Sequence, residues 1–200
     1  MYRHNPQTAR LEKLVDEGAV GRVRLIRAVF SFPVQGERNI RLLAEVDGGA
    51  LLDVGCYCVS GARLLAGEPE SVWAESVAGP TGVDEVLAGA LRFPGGVLAQ
   101  VHCGLVLPFQ DELEVIGEEG SLFVDDPWLC RRPGIELRRG DEVERIAVDP
   151  ADSYRLELES FGAAIRGESE PLLGREDSVA QARVLEALYR SAEERAPVAL

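Results

Sequence analysis

The sequence predicts one α+β domain over residues 1–200, built on an open, predominantly antiparallel sheet with helices on one face. Three observations lead there. Candidate strands crowd into residues 72–148, and the tight glycine-containing turns between neighbours permit hairpins but not crossover helices. Helical patterns flank this block instead of alternating with strands, which separates α+β from α/β. The hydrophobic fraction is 46% against 28% charged residues, a balance that supports a sizeable core and argues against disorder.

Each element has a local reason. Asn5 can cap the first helix, Pro6 suits its first position and Gly18 suits the position past its end, with Leu11, Leu14 and Val15 as the apolar stripe. From Arg22 to Phe32 the residues alternate in character, as in a strand covered on both faces. A loop from Pro33 to Asp47 leads to Gly48-Gly49, and Ala50–Ala66 reads as a helix closed by Gly67 and Pro69. The strands expected next are 72–77, 86–93, 97–107, 112–116, 121–124, 135–138 and 142–148. The run 97–107 has an apolar face (Val97, Ala99, Val101, Cys103, Leu105, Leu107) and a mixed one (Leu98, Gln100, His102, Gly104, Val106). The mixed face is either solvent-exposed or a subunit interface. Two helices close the chain, with stripes Tyr154, Leu158, Phe161, Ile165 and Ala182, Leu185, Tyr189, Ala192.

Composition narrows the function. A net charge of −13 disfavours binding to nucleic acid or to an anionic membrane surface. No apolar run approaches the roughly 20 residues a membrane span needs. The opening Tyr2-Arg3-His4-Asn5-Pro6 is not a signal peptide, so a cytoplasmic location is expected. Cys56, Cys58, Cys103 and Cys130 have neither disulfide nor metal-ligand spacing and are expected as reduced thiols, with no metal site.

Few residues are equipped for chemistry. Asp53 and Tyr57 are four apart on a predicted helix and therefore share a face. The preceding Gly48 and Gly49 allow close approach of backbone and a ligand, and are the candidate cofactor contacts. A phenol titrates near 10, and a nearby cation would make it a usable acid–base at neutral pH. The plainer alternative sets Asp53 at a helix N-terminus and Tyr57 in the core. His4 and His102 are the only histidines and lack partners at metal spacing. Glu157, Glu159 and Glu168 read as solvated. Neither a Gly-x-Ser-x-Gly elbow nor a Gly-x-Gly-x-x-Gly fingerprint is present.

Several segments carry a resemblance. They are Met1-Tyr2-Arg3-His4-Asn5-Pro6-Gln7-Thr8, Glu17-Gly18-Ala19-Val20-Gly21, Gly48-Gly49-Ala50-Leu51-Leu52-Asp53-Val54-Gly55-Cys56-Tyr57, Phe93-Pro94-Gly95-Gly96, Gly117-Glu118-Glu119-Gly120 and Phe161-Gly162-Ala163-Ala164-Ile165. In this order they resemble the glucose–fructose oxidoreductase / inositol dehydrogenase / rhizopine-catabolism (Gfo/Idh/MocA) family, in the tyrosine form of its xylose and dihydrodiol dehydrogenases. The resemblance implies hydride exchange between NAD or NADP and a hydroxyl of a sugar, cyclitol or dihydrodiol. It implies a homo-oligomer formed through the open sheet. The family motif Asp-x-Gly-x-His/Tyr falls on Asp53, Gly55 and Tyr57, so Tyr57 would move the proton with Asp53 as helper. Arg3 and His4 would join them at the substrate.

One departure is large. The family's Glu-Lys-Pro segment and its N-terminal dinucleotide-binding domain are missing, and Lys13, the single lysine, cannot stand in. The chain is then expected to be truncated and inactive alone, with the cofactor held mainly by a domain outside it and Met1 either a true start or an internal methionine. The alternative is a non-catalytic sugar-binding or assembly module. The catalytic reading fails if the Tyr57 hydroxyl is sealed in the interior.

Overall fold

A computed structural model describes residues 1–36 and 39–200. Of the loop expected from Pro33 to Asp47, residues 37 and 38 lie outside the described residues. The elements in chain order are α1 (Pro6–Asp16), β1 (Val23–Ser31), α2 (Cys56–Ala66), β2 (Ser71–Ala78), β3 (Asp84–Arg92), β4 (Leu98–Gly104), β5 (Gln110–Gly117), β6 (Ser121–Asp125), β7 (Ile135–Arg139), β8 (Glu142–Ile146), α3 (Ser153–Ile165), α4 (Arg175–Glu194) and β9 (Val198–Ala199).

The strands form one nine-stranded sheet in the order β8-β7-β6-β5-β1-β4-β3-β2-β9. Every pairing is antiparallel except β1 with β4. β1 is therefore the centre of the sheet. Its Ile26, Ala28 and Phe30 are buried in one continuous core with Leu51, Val54, Val59 and Ala62. The opposite face of the sheet is more open: Trp73 and Leu98 are each 41% exposed and Val77 65%.

α1 begins as its sequence predicts, with Asn5 Oδ1 accepting from Gln7 N at 2.9 Å and Gly18 in the left-handed region at φ 75°. The helix expected from Ala50 is not uniform. Its first turn, Leu51–Gly55, is π-helical and leads into α2. No local residue caps it. Asp84, at the start of β3, reaches across so that its Oδ2 accepts from Leu51 N at 2.8 Å, while its Oδ1 accepts from the Tyr189 hydroxyl at 2.9 Å. By length and composition alone, Ala44–Ala66 could cross a membrane. That corrects the expectation of no such run, but Leu51, Val54, Val59 and Ala62 are buried in the sheet's core. The last strand, β9, was not legible, and it closes the β2 edge.

Candidate active site

Tyr57 sits on the first turn of α2 and is half-buried. Three aromatic rings pack near it. Phe30 from β1 meets it edge-on at 5.5 Å, Tyr2 lies at 5.9 Å and Trp128 at 6.3 Å between centroids. Such contacts fix a ring by packing and quadrupole geometry, each contributing about 0.5–1.5 kcal/mol beyond area. Its hydroxyl makes no hydrogen bond among the described residues. The side-chain polar atoms that are sealed and unpartnered there are Asp111 Oδ2 and Asp126 Oδ1. The Tyr57 hydroxyl is not among these sealed atoms, and its ring is held.

The charge around this phenol runs one way. Burial pushes its pKa up, and Cys56, Tyr154, Asp53 and Glu157 push it further in the same direction. The chain alone therefore keeps Tyr57 protonated at neutral pH, a proton donor and not a base.

Asp53 lies in the π-helical turn, with its side chain about a quarter exposed. It is near enough to raise Tyr57 but is not bonded to it. Its Oδ2 accepts from Arg41 Nε at 2.7 Å, and the Arg41 guanidinium lies 5.6 Å over the Phe32 ring. The sequence placed acid and phenol on one face. The structure adds Arg41 as the acid's partner, which spacing could not reveal because its segment, Ile40–Leu42, has no pattern of its own.

The glycine pair is used within the chain. A Cβ at Gly48 would lie 2.6 Å from Arg41 O and 2.8 Å from Leu43 O. A Cβ at Gly49, where φ is 131°, would collide with the Asp84 carboxylate. An acidic group facing Gly49 does not fit a pyrophosphate, so the pair is not a phosphate cradle. The close approach expected of Gly48 and Gly49 is to the protein's own backbone and to Asp84. Gly55, in the middle of the motif, lets the helix settle on β4, since a Cβ there would stand 2.7 Å from Cys103 Sγ.

Arg3 and His4 follow Tyr2 in a short 3-10 turn. Arg3 Nη1 donates to Ser60 Oγ at 3.4 Å, sharing that oxygen with the Tyr2 hydroxyl at 2.8 Å. Arg3 is thus tied to α2. His4 lines a groove of about 340 Å³ against Glu157, Leu158 and Phe161 of α3. Its pKa is pushed down, chiefly by burial, so the imidazole is neutral at pH 7. Lys13 pairs with Glu17 at 3.6 Å on α1 and takes no part in the site.

The floor of the aromatic cage had no advance signal. Trp128 is fully buried, and its Nε1 donates to Val29 O at 2.9 Å. Its turn is pinned by a pair of buried acids. Asp111 Oδ1 accepts from Trp128 N at 3.2 Å, and Asp126 Oδ2 accepts from Arg131 N at 2.6 Å and Arg132 N at 2.9 Å. The Asp111 carboxyl is pushed up to about 8, first by burial and then by Asp126, so it holds a proton on its side of the pair. The stretch 125–133 is therefore largely structural at Asp126 and Trp128.

Known proteins share this sequence pattern and this fold. A model of the GFO/IDH/MocA C-terminal domain matches residues 8–123. Over its whole length the chain is 35% identical to D-xylose 1-dehydrogenase (NADP(+)) 2 of Haloferax volcanii, covering 63% of that protein. It superposes on an aldose–aldose oxidoreductase from Caulobacter crescentus, solved with glycerol, at TM-score 0.91 and 27% identity, covering 100% of this chain and 62% of that one. A 3-ketoreductase from Actinomadura kijaniata, solved with NADP and TDP-benzene, gives TM-score 0.90 and 28% identity over 96% of this chain and 60% of that one. The chain thus spans less than two thirds of the length of these relatives. Sequence, sheet and helix agree: this chain belongs to the GFO/IDH/MocA family.

Proposed function

We propose that the chain is the substrate-binding, proton-transferring part of an NAD(P)-dependent oxidoreductase acting on a CH–OH group of a sugar, cyclitol or dihydrodiol. The observation that carries this is Tyr57: half-buried, its ring held by an aromatic cage and its hydroxyl without a hydrogen-bond partner among the described residues. When bound, the nicotinamide supplies or accepts the hydride. Tyr57 Oη gives its proton to the carbonyl oxygen as the carbonyl is reduced, and takes it back in the other direction. The pair Arg41–Asp53 borders that space, with Arg41 fixing the carboxylate beside the substrate's hydroxyls.

The electrostatics support a divided site. The largest influences on Tyr57 among the described residues all raise its pKa, so use of the phenolate needs a cation from elsewhere. An oxidised nicotinamide and a lysine on a dinucleotide-binding domain would both meet that need. The 200-residue chain alone is then inactive. Relatives that use NADP and act on sugar-like compounds support this reading of cofactor and substrate. The chain works in the cytoplasm as a homo-oligomer, its open sheet face joining copies through the exposed Trp73, Val77 and Leu98.

The test is Tyr57→Phe in the chain joined to a dinucleotide-binding domain. It should lower kcat by roughly 10²–10⁴, the usual worth of general acid–base catalysis, and leave the melting temperature nearly unchanged. An unaltered kcat would return Tyr57 to a packing role. Turnover by the 200-residue chain alone would refute the divided site.

A further inference from the structure

The turn that carries Asp53 is held from outside its own helix. Leu51–Gly55 is π-helical, with Cys56 N donating to Leu51 O. A π turn closes one residue later than an α turn, is rare, and frequently marks a functional site. Residues before such a turn are rotated, relative to those after it, from where an unbroken α-helix puts them. Asp53 lies within this turn and Tyr57 just beyond it. The acid accordingly bonds to Arg41 and not to the phenol four residues on.

Side chains from β3 and α4 fasten both ends of this segment. At its start, buried Asp84 accepts from Leu51 N at 2.8 Å, and its other oxygen accepts from the Tyr189 hydroxyl of α4 at 2.9 Å. Gly49 makes room for both: a Cβ there would collide with the Asp84 carboxylate and stand 3.2 Å from Tyr189 Oη. At its end, Gln181 of α4 donates from Nε2 to Cys56 O at 2.9 Å. Gln181 is itself fixed, because its Oε1 accepts from Nη1 of buried Arg63 at 2.9 Å. Gln181 and Tyr189 are two turns apart on α4 and share one stripe of it. A local Ser or Asn would cap Leu51 without burying a carboxylate. The longer route does what a local cap cannot: it ties the turn's position to the sheet and to α4.

We infer that Asp84, Tyr189 and Gln181 are positioning residues, which hold the Leu51–Gly55 turn in its π form and so set where Asp53 stands relative to the Tyr57 hydroxyl. This rests on the proposed function for what is positioned and adds what does the positioning. The three act through the backbone of the turn. When they are lost, Tyr57 keeps its aromatic neighbours, while Asp53 leaves its register with Arg41. A displacement of about 1 Å at a reacting group can cost about 10²-fold in rate, so the defect belongs in kcat and not in cofactor binding.

Tyr189→Phe and Gln181→Met are made first in the 200-residue chain, since each removes hydrogen bonds and little volume. Amides of residues 51–56 should exchange at least tenfold faster, while those of β1 and β5 keep the parent's protection. The Arg41 Nε–H resonance, displaced by its bond to Asp53, should move toward that of free arginine. Unchanged exchange would overturn the inference, and so would faster exchange by one factor throughout, which is what general stabilisation predicts. The same variants are then assayed in the chain joined to a dinucleotide-binding domain. There kcat should fall at least tenfold with the KM for NADP within twofold of the parent. Asp84→Asn, which can accept from Leu51 N and donate to Tyr189 Oη, should recover most of what Asp84→Ala loses; an Asn variant no better than Ala would remove Asp84 from the account. If Asp84→Ala does not fold, the Tyr189 and Gln181 variants decide. Local loosening with an unaltered kcat would overturn the positioning role. A joined parent that turns over no sugar would sink the proposed function, while exchange and the Arg41 resonance would still decide whether the turn is clamped.

Discussion

α2 and α3 carry apolar stripes of similar strength and meet opposite fates. α2 lies on the sheet, with Cys58, Val59 and Ala62 fully buried. α3 holds its stripe in solvent. Periodicity tells which face of a helix must be covered; it does not tell by what. For α2 the cover is β1 and β4 of the same chain. For α3 the turn Tyr2–His4 and residues 171–173 border the stripe but leave it exposed among the described residues. The candidate site lies between the two, with Tyr57 on the covered helix and Tyr154 and Glu157 on the bare one.

The contrast can be broken from the α2 side first. Trp128→Ala removes the floor of the cage under Tyr57 and should cost about 3–5 kcal/mol, the usual loss for a buried aromatic. Chemical denaturation should show it as a lower midpoint; a loss under 1 kcal/mol would mean the cage is not integral to the core. Gly55→Val forces a side chain against Cys103 and Leu51 and should destabilise by about 1–3 kcal/mol. Normal thermal stability in that variant would disprove the tight seating of α2 on β4.

The acid pair beneath the cage offers a pH test. Asp111 is held at about 8 in the folded chain against an ordinary 3.8. The folded state then binds more protons than the unfolded one between those values, so stability falls as pH rises from about 4 to about 8. Asp111→Asn can still accept from Trp128 N and can donate to Asp126, and it does not titrate. Its melting temperature should decline less between pH 5 and 8 than that of the parent. Parallel slopes would remove Asp111 from the account. The smallest effect belongs to α3: Phe161→Ser should move stability by no more than ~0.5 kcal/mol, as at other exposed positions. A loss of 2 kcal/mol or more would show that the stripe is covered within the chain after all.

Legibility in the sequence followed the range of the interactions. The α1 cap at Asn5-Pro6 and the hairpins of the sheet are set by neighbouring residues, and they could be read directly. The parallel pairing of β1 with β4 joins segments far apart in sequence and left no local mark. The cap on α2 comes from Asp84, more than thirty residues on. At the site, Tyr57 and Asp53 were legible because a helical repeat brings them together. Arg41, Asp111 and Trp128 reach the same place from loops and from a strand start, and no repeat announces them. Gly48 and Gly49 were legible as a place of close approach, but the approaching group is Asp84, a tertiary fact.

The central place of β1 bears on how the chain is made. Of these nine strands β1 is made first, and its earliest partner, β4, starts only at Leu98. At ordinary rates of synthesis the gap of roughly 70 residues lasts on the order of 3–13 s. During that time α2 can shield one side of β1, yet the backbone amides and carbonyls along both its edges wait without strands. The nascent protein therefore passes through a stage in which its future keystone is also its stickiest segment, a stage that chaperone supply and codon pace would be expected to govern.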